Sequence, residues 1–396
     1  MGFQRVIKPK FYVDIMSYFH ATGHSQYFNN AQGASIDEGS VTDLLYGNTS
    51  SIVRNRKGNG GTFASYSSEA WESNKIAENC FPTFNVDFVA LLNHNFEGAE
   101  FYVGFKNADG TGEHSLGSGS LPFDYDKSIN MKYVTNDVDM QEFNGFSIGV
   151  TQSTLQAKEK GRMFIYGSPD NTWDNGNGFQ LGDRYCGSVM VGKTYSPPHS
   201  PNLSMTVSRS FDGIKSSKTK GGHTISNIDH LGNPDWAGHN AWELWKYPTN
   251  PKVKTLHINP NDTQQNAFIE DPKLNLGRLG RRSWKLTFDL VSEQDIFGAW
   301  ELTNKNPLLD VSTYPDDSGA TFGMKGYDNP FLEEDNFISS VWTKTLGGTI
   351  PMIMQIDDSH TRPDNYALVT IKQNSFNVTP KAPNLYSYSM TLEETW

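Results

Sequence analysis

Cysteine is nearly absent from this chain, with only Cys80 and Cys186 among 396 residues. Two thiols are too few for a disulfide framework or a cysteine-based zinc site, and a chain this long has core enough to fold without covalent staples. Long apolar runs are missing too: nothing approaches the roughly 18 consecutive apolar residues of a membrane-spanning helix. The opening MGFQRVIKPK has no apolar segment of the secretory kind. The expectation is a chain made in the cytoplasm, without membrane insertion, that leaves it only as part of a larger assembly. Basic charge is also scarce. The formal net charge is -11, against the clustered basic excess that gripping nucleic-acid phosphates requires. The local basic clusters at 215–220 and 278–282 read as a solvated loop and the start of a strand. Finally, there is no GxSxG, HExxH or P-loop motif, so nothing points to an enzyme or a cofactor.

What the chain does have is aromatic residues, at 13%, and 36 glycines. That mix suits pleated, half-buried surfaces and frequent turns, so the expected fold class is all-β with few short helices. The most hydrophobic stretch, residues 84–105, reads FNVDFVALLNHNFEGAEFYVGF. Extended, it places Val86, Phe88, Ala90 and Leu92 on one side, while Val89 and Leu91 make its centre apolar on both, as a strand buried between layers requires. A turn at 93–98 and a second strand, with Phe101, Val103 and Phe105 inward, complete an expected hairpin.

Further strands are expected at FYVDIMSYF (11–19), joining a later sheet, and at SIVRNR, FNGFSIGVT, RMFIYG and GSVMVGKTY. His20 and His24 fall in a polar loop without the glutamate of a metalloprotease helix. Pro197, Pro198 and Pro201 interrupt any ladder. Beyond them Leu203, Met205 and Val207 alternate inward, and in RRSWKLTFDLV Trp284, Leu286, Phe288 and Leu290 do the same. A short helix capped by Ser292 follows. DNFISSVWTKTLGG is strand-like or helical, and IPMIMQI, YALVTI and LYSYSMTLEETW are closing strands. Trp236, Trp242 and Trp245 lie close in sequence, as a sugar platform, a sheet cover or a subunit surface would have them.

A buried strand ending in LLNHNF, a short gap and an aromatic-rich strand resemble the discoidin-like, galactose-binding-like jelly roll of phage tail proteins. The succession SWKLTF, a short Ser-Glu-x-Asp helix, W-x-x-TLGGTIPMIMQID and a terminal strand ending in LEE resembles the belt-type β-sandwich of phage distal tail proteins. Together these imply two β-sandwich domains: residues 1–186, a discoidin-like jelly roll with an N-terminal arm, and residues 187–396, a belt-type tail sandwich. They imply a structural virion subunit of a tail tip or baseplate. Its partners would be copies of itself in a hexameric ring and other phage tail proteins, with assembly in the host cytoplasm. In secreted discoidin domains terminal cysteines pair, so Cys80 and Cys186 could bridge; two free buried thiols in a reducing cytoplasm is the other reading.

The alternative function is a glycan-binding adhesin that docks to a host-surface glycan. Its candidate residues are Trp71, Asn93, His94, Asn95 and Trp173: aromatic rings for stacking on a sugar face, amides and imidazole for its hydroxyls. Against it stands the plain reading that the asparagines bond their own turn, His94 is a satisfied loop residue and Trp173 plugs the sandwich. No metal site is expected. Asp170, Asp174 and Asp183 lack calcium-loop spacing. Glu393 and Glu394 are neighbours on a strand, so they point to opposite faces and cannot form a catalytic pair.

Overall fold

The computed structural model describes residues 6–23, 38–49, 51, 53–55, 61–67, 85–94, 100–106, 131–133, 145–156, 162–168, 184–210, 215–227, 281–298, 335–359 and 365–395. The chain opens with β1 (Lys10–Asp14), which turns directly into α1 (Ile15–Ala21), and a 3-10 turn follows at Val41–Leu44. Next come β2 (Val53–Asn55), β3 (Gly61–Ser67), β4 (Asn85–His94), β5 (Glu100–Lys106), β6 (Met131–Tyr133), β7 (Gly145–Gln156), β8 (Arg162–Ser168) and β9 (Arg184–Tyr195). Then follow β10 (Thr206–Ser210), β11 (Lys215–Lys218), β12 (Thr224–Asn227), β13 (Arg281–Ser292) and α2 (Glu293–Ile296). A π-helical turn (Ile338–Trp342) precedes β14 (Met352–Gln355), β15 (Tyr366–Ile371), β16 (Val378–Ala382) and β17 (Leu385–Glu394). The protein is all-β with few short helices. Among the described residues no helix is long and apolar enough to cross a membrane.

Twelve strands form one sheet in the order β10-β13-β17-β15-β14-β1-β9-β4-β7-β6, with β16 added on β17 and β2 on β9. A three-stranded sheet, β3-β8-β5, and the β11-β12 hairpin stand apart from it. The N-terminal strand β1 lies between β14 and β9, with Phe11 opposite both Met354 and Tyr195. The opening segment thus joins a later sheet, as its composition suggests. The expected boundary after Cys186 falls inside β9, a strand that pairs with β1 on one side and β4 on the other.

Side-chain alternation across this shared sheet creates two cores on its opposite faces. One face carries Phe11 and Val13 of β1, Met352 and Met354 of β14, and Ala367 and Val369 of β15; Trp284, Leu286, Phe288, Met390 and Leu392 pack with them. The other carries Tyr12, Ile353, Tyr366 and Leu368, joined by Phe88, Ala90 and Leu92 of β4, Phe146 and Ile148 of β7, and Met190 of β9. The register agrees throughout: Phe11 opposes Met354, Tyr12 opposes Ile353, and Ala90 opposes Met190. Inside the sheet Tyr12 donates its hydroxyl to Gln355 Oε1 at 2.8 Å.

Several expectations need correction. Residues 11–19 are not one strand: the Asp14 side chain accepts from Met16 N and caps α1, so the chain turns helical at Ile15 and takes His20 into the helix. β4 and β5 do not form a hairpin with each other. β4 runs on through His94 and pairs with β7 and β9, whereas β5 pairs with β8. Leu290 does not face the core. The β13–β17 register shifts between Phe288 and Val291, which puts Val291 inside and leaves Leu290 exposed at a φ of 60°. Leu203 is also outside, at 79% exposure, because β10 begins only at Thr206. The 215–220 cluster is no plain loop but the first strand and turn of the β11-β12 hairpin. The 335–348 segment, expected as strand-like or helical, is helical through Trp342, with Thr343 N donating to Ile338 O at 2.9 Å, and then runs as turns.

Candidate functional site

The sequence-derived candidates divide. Trp71, Asn95 and Trp173 lie outside the described residues, as do His24, Cys80, Asp170, Asp174, Asp183, Trp236, Trp242 and Trp245. Asn93 and His94 are described and both are buried, at 4% and 1% exposure. Asn93 occupies the left-handed region at a φ of 53°, where asparagine is well tolerated, and its amide donates to the Thr49 carbonyl at 2.8 Å. The pair therefore belongs to the buried end of β4. Cys186 is a free, buried thiol whose Sγ donates to the Ser188 carbonyl at 3.3 Å. Burial pushes it up to about 12, which keeps it protonated and unreactive.

A polar cluster that the sequence did not announce sits where β1, α1 and β9 meet. Asp14 Oδ1 accepts from Met16 N at 3.0 Å and Val191 N at 3.2 Å, and Oδ2 accepts from the Ser17 hydroxyl. Ser17 Oγ in turn accepts from Tyr46 N at 2.7 Å. The Tyr46 hydroxyl is hydrogen-bonded to His20 Nδ1 at 2.5 Å. His20 thus meets Tyr46 and not Ser17, so the three polar residues of α1 and its cap do not line up as a serine–histidine relay. They latch the helix to the sheet.

Burial pushes Asp14 up to about 6, with the hydrogen bonds opposing it. The folded state therefore holds this proton to a higher pH than the unfolded chain does. Stability is full below the ordinary aspartate range and falls as pH rises from about 4 to about 6, by up to about 3 kcal/mol. Asp14→Asn keeps the cap and removes the titration. Urea midpoints at pH 4 and pH 7 should differ less in Asp14→Asn than in the wild type, and equal differences would contradict this role for Asp14.

One exposed, organised surface is the β10 end of the large sheet. β10 hydrogen-bonds to β13 through Thr206–Lys285 to Ser210–Arg281 and is the terminal strand of that sheet, with four of its five residues exposed. Its base is braced by charge. Arg282, buried beside the ring of Trp284 at 5.0 Å, grips Glu394 with Nη2–Oε1 at 2.7 Å and Nε–Oε2 at 3.1 Å. Glu393 faces the other way, to Arg281 at 3.4 Å and Lys372 at 3.0 Å. The two glutamates are thus both spent on separate cations. Next to this end Asn202 N donates to the Thr287 carbonyl at 2.8 Å, and its side-chain amide donates to Asp289. That anchors the segment presenting Leu203 beside the bulge that presents Leu290.

Periodicity hides both leucines, since each continues an inward alternation; the one local cue is the adjacent Leu290–Val291 pair, which a strict two-residue period cannot bury together. This end offers an outermost strand with exposed side chains and two exposed leucines, which suits protein contact. Among the described residues no group of three or more His, Cys, Asp or Glu side chains is placed to hold a metal ion. No protein-family profile, curated protein or solved structure matches this chain.

Proposed function

We propose that this chain is a structural subunit of a phage tail tip or baseplate, which joins copies of itself into a ring between the tail tube and the adsorption apparatus. It works by holding neighbours, in the virion tail, after assembly in the host cytoplasm. The observation that carries this reading is the β10 end of the sheet: among the described strands β10 is outermost, four of its five residues are exposed, and Leu203 and Leu290 flank it. A leucine held at positive φ costs about 1–2 kcal/mol relative to a relaxed backbone, and here the side chain stays 59% exposed. Contact with a second subunit would bury it. The order of strands and turns that resembles belt-type tail proteins supports the same reading, and the hexameric count rests on that resemblance. For the glycan-binding alternative, the two candidate residues described, Asn93 and His94, are both buried.

The test is negative-stain imaging of the purified chain beside a Leu203→Asp/Leu290→Asp variant. Both side chains are exposed, and aspartate tolerates the backbone at 290 better than leucine, so the variant should keep its fold. Closed rings are expected from the wild type and separate particles from the variant. Rings from both would remove this edge from the interface, and a wild type that never forms rings would overturn the reading.

A further inference from the structure

We propose that the β11-β12 hairpin is a docking arm that seats on the acidic body of a second copy of this chain. This deepens the ring reading and rests on it. The hairpin is the next described element after β10 in the chain, and it forms a two-stranded sheet of its own. Every residue from 216 to 226 is exposed, and neither core includes any of them. Its pairing is regular, with Ser217 opposite Ile225 and Lys218 opposite Thr224. The Ser216 and Ser226 hydroxyls bond across the strands at 2.7 Å. The turn is closed by Thr219 N donating to the His223 carbonyl and Gly222 N to the Thr219 carbonyl, each at 2.9 Å.

Two features point to a partner and to its chemistry. A lone two-stranded hairpin is at best marginally stable in water and is normally completed by packing on something else. This one carries Ile225, 55% exposed, in a strand that joins neither core cluster among the described residues. The second feature is charge. Residues 215–227 contain Lys215, Lys218, Lys220 and His223 and no acidic residue, in a chain whose net charge is -11. The arm is thus opposite in sign to the body of every other copy. An arm on one subunit and an acceptor surface on the next make a head-to-tail contact, the kind of contact that closes rings. Opposite charge steers and orients it, while Ile225 supplies the apolar anchor.

Light scattering across a concentration series, on the full-length wild type, Lys218→Glu/Lys220→Glu and Ile225→Ser, tests this. Each substitution is at an exposed position, and thermal unfolding confirms that the fold is kept. The expected result is that the wild type assembles, that the half-assembly concentration rises about tenfold or more in the charge-reversed variant, and that Ile225→Ser weakens assembly as well. Added salt should weaken the wild type and not the charge-reversed chain. Assembly unchanged in both variants would overturn the arm while leaving the ring reading intact. A wild type that stays monomeric at every concentration would overturn both. A monomeric wild type held on heparin beads through the same lysines would replace the arm with a site for an anionic polymer.

Discussion

Gly192→Ala is expected to destabilise the protein by more than about 3 kcal/mol, a large loss for the addition of one methyl group. At Gly192 a Cβ would lie 1.9 Å from the Val13 carbonyl oxygen and 2.9 Å from Ile15 N. Both are backbone atoms, held by the β1–β9 pairing and by the start of α1, so neither can swing aside as a side-chain tip would. The methyl group can be accommodated only by parting β1 from β9. Because the two faces of β1 feed the two cores, both would loosen together. Gly221→Ala is the control: its nearest neighbour would be Thr219 Oγ1 at 4.0 Å, and its effect should stay within about 0.5 kcal/mol. Urea midpoints for the two variants measure the contrast directly, and equal midpoints would contradict the placement of β1 against β9.

Trp284→Ala should cost about 3–5 kcal/mol. The indole is fully buried, opposite Val207 of β10 and Leu392 of β17, and it lies under the Arg282 guanidinium. Its removal leaves a large cavity and also takes away the ring face that receives the cation, a contact worth about 0.5–2 kcal/mol in itself. Arg282 would keep Glu394 and the Tyr366 carbonyl, so the strands should stay paired and the denaturant slope should be unchanged. Leu203→Ala, also a large-to-small truncation but at a site 79% exposed, should change stability by no more than about 0.5 kcal/mol. A Trp284→Ala variant as stable as Leu203→Ala would mean that β13 does not pack as described.

Much of the strand content was legible in the sequence because alternation is a local signal. Trp284, Leu286 and Phe288 face in, Phe88, Ala90 and Leu92 share one core, Ser292 caps α2, and the closing strands fall where their β-branched and aromatic residues place them. Pairing is not local. β4 and β5 are neighbours in sequence with a short connection, the usual sign of a hairpin, yet β4 finds its partners in β7 and β9, and nothing in its periodicity names them. Capping was missed at Asp14 because the surrounding FYVDIMSYF is rich in strand formers; one carboxylate accepting from Met16 N outweighs them. At the site, Leu203 and Leu290 escaped because alternation assumes an unbroken strand, whereas one strand starts late and the other carries a bulge. The hairpin at 215–227 escaped because short serine- and lysine-rich strands resemble loops in composition.

The most direct test of the account is the mass of the wild-type chain in solution, measured by light scattering as concentration rises. A ring-forming subunit predicts a discrete, concentration-dependent rise to one closed multiple of the 44.3 kDa protomer, with no further growth beyond it. A mass that stays at one protomer throughout the series, or that grows without limit, would contradict it.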